Sequence, residues 1–275
     1  MKIPGQISAQ ISSHGANIMN KIVRFLQKSP HEKAATVMAN VKWTSRHLNS
    51  FAHSSGDWAR MLPWARLRHT DFHSGLGDSC YLLYGLARSM KPKICVEIGS
   101  ARGKSACYVG MALKENGGGK LIAIDPHTQT DWNDSKSNKT LSIMRHNIRK
   151  FGLEDQIEIK QQTSSEAASS WPHPIDMIFI DGDHTYEGVK RDWELFLPYL
   201  TEFGIVIFHD TAWDLPAYHK DSRSDMGVPR FLEELRRDGY PVITINRDYG
   251  VSLVQPIRGG HPLSVVSPRT ASVSF

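Results

Sequence analysis

Cysteine is scarce in this chain: three occur in 275 residues, at Cys80, Cys95 and Cys107, with no C-x-x-C pair. So few, in an odd number, exclude a disulfide framework and a zinc knuckle. Cys95 also falls inside a strand expected to be buried, which suits core packing in a reducing compartment, the cytoplasm. Long hydrophobic stretches are missing too. The longest apolar runs are about five residues, far short of the ~20 that span a bilayer. Lys2 is followed by no apolar stretch of signal-peptide length, so none is expected. The formal net charge is +5, yet no run of five basic residues occurs. A scattered excess is not the concentrated stripe that grips a nucleic acid. Neither a membrane nor a nucleic acid is therefore an expected partner. What is present is an ordinary globular balance, 40% hydrophobic and 22% charged, in a length that allows one sizeable core plus an appendage.

Residues 1–70 read as the appendage. Helical spacing over Ile18 to Leu26 and Ala34 to Phe51 is broken at Ser29-Pro30, and Trp43, Trp58 and Trp64 add bulky aromatics. Such a segment packs on the main domain or on a second copy in a homo-oligomer; the functional alternative is a lid over a pocket. From residue 71 to 258 the pattern is α/β. Helix Asp78 to Ser89 precedes strand Ile94 to Ile98, then helix Ser105 to Leu113 and strand Leu121 to Ile124. A polar loop follows, then helix Thr140 to Phe151, strand Ile157 to Lys160 and a short helix near Ser165 to Ser170. Strand Asp176 to Ile180, helix Tyr186 to Leu200 and strand Gly204 to Phe208 continue the alternation, which implies a parallel sheet. After helix Pro229 to Asp238, strands Val242 to Asn246 and Gly250 to Gln255 are joined by only three residues, Arg247 to Tyr249. So short a link demands an antiparallel hairpin. The prediction is a Rossmann-like, seven-stranded, mostly parallel sheet with an antiparallel C-terminal hairpin, and a flexible tail over 259–275.

The richest local signal is Val96-Glu-Ile-Gly-Ser-Ala-Arg-Gly-Lys-Ser105. A buried strand, a glycine turn, a helix of small residues and an acid, Asp125, ending the next strand make a nucleoside-binding half-site. The glycines let the backbone approach a ligand and the acid accepts hydrogen bonds from ribose hydroxyls. A P-loop is excluded because only three residues separate Gly99 from Gly103. The dinucleotide fingerprint G-x-G-x-x-G is excluded because Ala101 and Lys104 stand where it needs glycine. The remaining pattern is E-x-G-x-x-x-G, whose plain reading is an ordinary strand-to-helix turn. It resembles the first motif of class I S-adenosylmethionine-dependent methyltransferases, especially catechol-type O-methyltransferases. That resemblance makes S-adenosyl-L-methionine the expected cofactor. Glu97 belongs to the motif and is expected to act mainly through backbone contacts.

Two further clusters fall at strand ends. One strand delivers Asp181-Gly-Asp-His-Thr-Tyr186 and another delivers His209-Asp-Thr211. In a parallel sheet both face the crevice beyond the carboxyl ends of the strands, with Gly99 and Asp125. Converging carboxylates repel one another unless something binds them, and a divalent cation would. Oxygen ligands suit magnesium; an imidazole moves the preference towards manganese, iron or zinc. The phrase Ile180-Asp-Gly-Asp-His-Thr-Tyr-Glu-Gly-Val-Lys-Arg-Asp192 resembles that of a broad bacterial methyltransferase family, related to catechol-type and macrolide-sugar O-methyltransferases. The likeness covers roughly residues 76–255. By that resemblance Asp181, His209 and Asp210 are metal ligands, and His184 is the general base. Gly99, Ser100, Gly103 and Ser105 line the methionine end of the cofactor, Asp125 holds its ribose, and Ser164 lies near its adenine; Asp181 borders the same cleft. His209 stands where better-known relatives carry an acid or asparagine, which weakens the case for magnesium.

The implied function is O-methylation of a hydroxyl on a small molecule, a sugar or a secondary metabolite of natural-product biosynthesis. Trp132, Trp213, Tyr218 and His219 are candidates to stack on it, or to pack at the surface. Plainer roles stand beside these: Asp183 as a helix cap, His184 as a hydrogen-bonded turn residue, and Lys190, Arg191 and Asp192 as a solvated helix face. Two other functions fit the fold. A metal-dependent hydroxylase-like enzyme would want a two-histidine, one-carboxylate triad, which is not evident. A non-catalytic cofactor-binding module would not need Asp181, His184 and Asp210 together. The N/D-P-P-Y/F loop of amino-methylating enzymes is absent.

Overall fold

Runs of buried aliphatic residues form the strands. In a computed structural model that describes residues 64–128, 139–221 and 223–256, β1 (Ile94–Ile98), β2 (Lys120–Ile124), β3 (Ile157–Lys160), β4 (Ile175–Ile180), β5 (Leu200–His209), β6 (Val242–Ile245) and β7 (Val251–Val254) make one seven-stranded sheet of order β3-β2-β1-β4-β5-β7-β6. Pairs β1–β2, β1–β4, β2–β3 and β4–β5 are parallel; β5–β7 and β6–β7 are antiparallel. The short link after β6 thus closes a hairpin, as its length requires. The chain divides into two compact units, Met1–Ala65 and Arg66–Phe275. The helices and Trp43 and Trp58 expected in the appendage, Trp132, the side chain of His219 and the tail 259–275 lie outside the described residues.

The helices are α1 (Cys80–Met90), α2 (Lys104–Asn116), α3 (Thr140–Phe151), α4 (Ser164–Ala168), α5 (Tyr186–Phe196) and α6 (Val228–Arg237). Helix α5 ends four residues earlier than the sequence suggested. Pro198 cannot continue it, and a 3-10 turn, Leu197–Tyr199, leads straight into β5. Helix α4 starts on a capping box: the Thr163 hydroxyl accepts from the Glu166 amide, and the Glu166 carboxylate accepts from the Thr163 amide.

Alternation along the strands sends side chains to two faces. On one, Val96, Ile98, Ile178, Ile180, Val206, Phe208 and Val254 pack with Trp193 and Phe196 of α5 and with Phe231, Leu232 and Leu235 of α6. On the other, Cys95, Leu121, Met177, Phe179 and Ile207 are buried, and α2 packs against β2 and α1. All three cysteines are buried thiols, consistent with core packing. Among the described residues no helix is long and apolar enough to cross a membrane. The parallel order reverses direction at β1, so the carboxyl ends of β1, β2, β4 and β5 open on one crevice.

Candidate functional site

That crevice is a cleft of about 1270 Å³. Its floor begins where β1 ends. Gly99 has φ +89°, and a Cβ there would lie 2.1 Å from the Asp181 carbonyl oxygen. Only glycine lets the loops after β1 and β4 run this close. Gly103, φ +79°, is the N-cap of α2, and its amide donates to the Ser100 carbonyl at 2.7 Å. Asp125, at the tip of β2, ties two turns together. Its Oδ2 accepts from the Ala101 amide at 2.8 Å, and its Oδ1 from the His127 amide at 2.6 Å. Of the residues expected to meet a cofactor, Gly99, Ser100, Ser105, Asp125, Ser164 and Asp181 line the cleft.

Glu97 does not; the structure gives its side chain a larger part than backbone contacts alone. It is 1% exposed beneath the loop, and its Oε2 has no hydrogen-bond partner. Burial pushes its pKa up to about 7; the hydroxyls of Ser105 and Ser100 pull it back only in part. The folded state therefore holds this proton more tightly than the unfolded chain. Its contribution to stability is complete below the ordinary value of 4.5 and is lost as pH rises through about 7. That loss is on the order of 3 kcal/mol. The expected result is a melting temperature that drops between about pH 5 and pH 8 in the wild type and drops much less in Glu97→Gln. Parallel profiles in thermal scans would show that Glu97 does not titrate in this range.

Beyond the ends of β4 and β5, beside Gly99, Asp181, His184, His209 and Asp210 meet. Asp210 sits at φ +60°, a conformation costly for a non-glycine residue and typical of functional turns. The His184 Nδ1 is 3.0 Å from Asp210 Oδ2. Burial alone would lower the His184 pKa, but the bond to Asp210 and the charges of Asp210 and Asp181 outweigh it and raise it. His209, the third residue expected to hold a metal, sits between the two carboxylates. Its Nε2 donates to the Asp248 carbonyl at 2.8 Å, while its Nδ1 lies 3.1 Å from Asp181 Oδ1 and 3.3 Å from Asp210 Oδ1. Burial works against a charge here, yet Asp181 and then Asp210 prevail and raise the pKa to about 10. Asp210, for its part, is held well below the usual carboxylate range: burial opposes this, but His209 and His184 outweigh it. The donors that do converge are Asp181, His184 and Asp210, whose ligand atoms lie within 4.8 Å of one another.

Several residues gain roles that the sequence did not disclose. Asp248, in the β6–β7 turn, anchors His209 through its carbonyl and accepts from both the amide and the hydroxyl of Ser79 at 2.9 Å. Tyr249 beside it stacks on Trp213, centroids 4.6 Å apart, and lies 4.8 Å from Tyr218. Trp213 and Tyr249 line the cleft; Tyr218 backs Tyr249. Asp183 Oδ1 accepts from the Thr185 amide, while the Thr185 hydroxyl is the cap of α5. Lys190 bridges to Glu234 of α6 at 2.7 Å and Arg191 to Asp183 at 3.2 Å. Asp192 corrects the reading of a solvated face: it is 2% exposed and lines the cleft.

Residues 96–211 match a family model described as a methyltransferase domain. An uncharacterized protein of Acanthamoeba polyphaga mimivirus is 29% identical over 165 residues, spanning 58% of this chain and 67% of that protein. Among solved structures, a methyltransferase of Podospora anserina bound to S-adenosylhomocysteine superposes with a TM-score of 0.54 at 18% identity, covering 83% of this chain and 97% of that one. The O-methyltransferase TomG of Streptomyces achromogenes, involved in tomaymycin synthesis and bound to S-adenosylmethionine, gives 0.53 at 16%, covering 78% and 96%. Together with the strand order, these likenesses place the chain in the Rossmann-like fold of class I methyltransferases.

Proposed function

We propose that the chain is an S-adenosylmethionine-dependent O-methyltransferase acting on a hydroxyl of a small molecule, a sugar or a secondary metabolite. What supports this reading is that Gly99 and Asp125, read as a nucleoside half-site, share one cleft with the paired His184 and Asp210, read as a proton-accepting site. The half-site fits the cofactor: a Cβ would fill the cradle at Gly99, and Asp125 presents carboxylate oxygens at the strand tip. When bound, S-adenosylmethionine supplies a methyl group that is already activated. The protein's share of the work is to align the acceptor oxygen and unmask its lone pair.

His184 is the group placed for the second task. Its Nδ1–H donates to Asp210, which leaves the lone pair of the neutral ring on Nε2 and stabilises the imidazolium that forms when the ring takes a proton. For a phenol of pKa ~10, ionisation at neutral pH costs roughly 4 kcal/mol, within reach of such a base. For a sugar hydroxyl near 15.7 the cost is roughly 12 kcal/mol. The donor set fits a divalent cation, magnesium or manganese, held by Asp181 and Asp210, and when bound it would supply the Lewis acidity that lowers a hydroxyl's pKa. His209 holds the two carboxylates in register from behind. Trp213 and Tyr249 give the acceptor a flat aromatic wall.

The test is calorimetric titration of S-adenosylhomocysteine into metal-stripped protein, repeated with magnesium or manganese. The expected outcome is binding at about micromolar strength. Heat from cation alone, lost in Asp181→Ala, is expected if the carboxylates hold a metal. No nucleoside binding under either condition would overturn the reading.

A further inference from the structure

Helix α3 carries Arg145, His146, Arg149 and Lys150 as an exposed stripe, while Met144, Ile148 and Phe151 on its other side are buried. The helix contains no acid. Arg145 and Arg149 lie one turn apart, as do His146 and Lys150, so each pair shares a side. Residues 66–70 extend the stripe. Lys150 Nζ donates to Thr70 Oγ1 at 2.9 Å, the Thr70 hydroxyl donates to the Arg66 carbonyl at 2.7 Å, and Phe72 stacks on Phe151. These contacts set the exposed Arg66, Arg68 and His69 beside the last turn of α3. Among the described residues, none of Arg66, Arg68, Arg145, Arg149 and Lys150 is in an ion pair. Glu154 and Asp155 follow Gly152, past the end of the helix, and Asp71 is paired with His73. No run of basic residues betrays this face, because Thr70 and Lys150 are 80 positions apart in the chain. Arg149 and Lys150 suit the negative end of the helix dipole, but Arg145 sits mid-helix and Arg66 and Arg68 are on another segment. Like charges four residues apart destabilise a helix, so Arg145 with Arg149 is a cost that an anion would relieve.

The chemistry of the stripe selects its partner. Four of its five cations are arginines, whose planar fork grips phosphate oxygens two at a time. A helix that lies on lipid turns an apolar side to it. Helix α3 spends Met144, Ile148 and Phe151 on the core, and the exposed large hydrophobics Tyr81, Phe203, Ile243 and Ile245 belong to α1, β5 and β6. A protein partner would be anchored by aromatic or apolar hot spots, and the stripe has none. A single strand would stack its bases on exposed aromatic rings, also lacking here. A duplex asks only for cations, since most of its contacts with proteins go to phosphate and sugar. A helix about 10–12 Å across matches the ~12 Å major groove of B-form DNA, whereas that of A-form RNA is too narrow. We infer that this face of α3, with residues 66–70, docks on the phosphate backbone of double-stranded DNA without reading its sequence. The surface is independent of the cofactor reading given above.

The experiment is fluorescence anisotropy of an end-labelled DNA duplex of mixed sequence, titrated with the full chain over a series of salt concentrations. The wild type is expected to bind with an affinity that falls as salt rises, with a log–log slope of about −4 for four or five neutralised phosphates. Arg145→Glu combined with Arg149→Glu is expected to weaken binding by about tenfold or more at low salt and to make the slope shallower by about 2. The milder Arg145→Gln is expected to make it shallower by about 1. Lys91→Glu combined with Lys93→Glu, in the link between α1 and β1, changes the net charge as much as the first pair and is expected to shift affinity by less than about threefold. No binding of the duplex by the wild type at low salt would overturn the inference. Equal losses in the two double variants would overturn it too, by tracing the attraction to net charge. So would tighter binding of the separated strand. Tighter binding of vesicles of phosphatidylcholine with phosphatidylserine, lost in the same α3 variants, would overturn it in favour of a membrane.

Discussion

His184→Ala is expected to slow methyl transfer by about 10²–10⁴-fold while S-adenosylhomocysteine affinity stays within about twofold of the wild type. The size follows from what the imidazole does. Its Nδ1 is fixed 3.0 Å from Asp210, and the opposing charges of Asp210 and Asp181 favour the protonated ring that would form as the acceptor loses its proton. Alanine removes that proton acceptor and leaves Gly99, Ser100 and Asp125, which follow β1 and β2, as they were. The check is release of S-adenosylhomocysteine with an acceptor found by screening hydroxylated compounds against the wild type. Unchanged turnover in the variant would remove His184 from the mechanism. Lost nucleoside affinity with normal turnover would make it a residue that holds the cofactor.

Gly99→Ala should be strongly destabilising. The new Cβ would sit 2.1 Å from the Asp181 carbonyl oxygen and 2.5 Å from its carbon, both backbone atoms, at a φ of +89°. Backbone strain at such a position costs about 1–3 kcal/mol before any clash is counted. The clash adds to it, because β1 and β4 are paired up to Ile98 and Ile180 and neither can retreat alone. A loss of about 3 kcal/mol or more lowers the melting temperature of a domain this size by roughly 6–12 °C. Gly85 is the control. It lies inside α1, and a Cβ there meets nothing within 4 Å, so Gly85→Ala should stabilise by about 0.5–1 kcal/mol. Equal melting temperatures for the two variants would mean that the loops after β1 and β4 can separate without cost.

The sheet was legible because its central strands are buried on both faces and read as continuous apolar runs, such as Met177 to Ile180. The hairpin was legible from three residues of linker. The site was legible to the extent that a parallel sheet brings strand ends together, which placed Gly99, Asp125, Asp181 and Asp210 on one cleft. What could not be read is which side of a helix or ring a polar residue turns. Lys190, Arg191 and Asp192 are consecutive charges and look alike in sequence. The first two find partners in Glu234 and Asp183, and the third turns inward to Ser164. Nothing local discloses either that a carbonyl 39 residues after His209 occupies its second nitrogen. Glu97 was expected to act mainly through backbone contacts because its burial beside Ser100 and Ser105 is a tertiary fact.

The anchoring of His209 by Asp248 also orders events in time. A ribosome delivers the chain at about 5–20 residues per second, so roughly 2–8 s separate the synthesis of the imidazole from that of the carbonyl that seats it. Gly99 and Asp125 come off the ribosome well before either. The His209 ring can therefore be seated only after the closing hairpin has been made and pairs along β5, bringing Asp248 onto it.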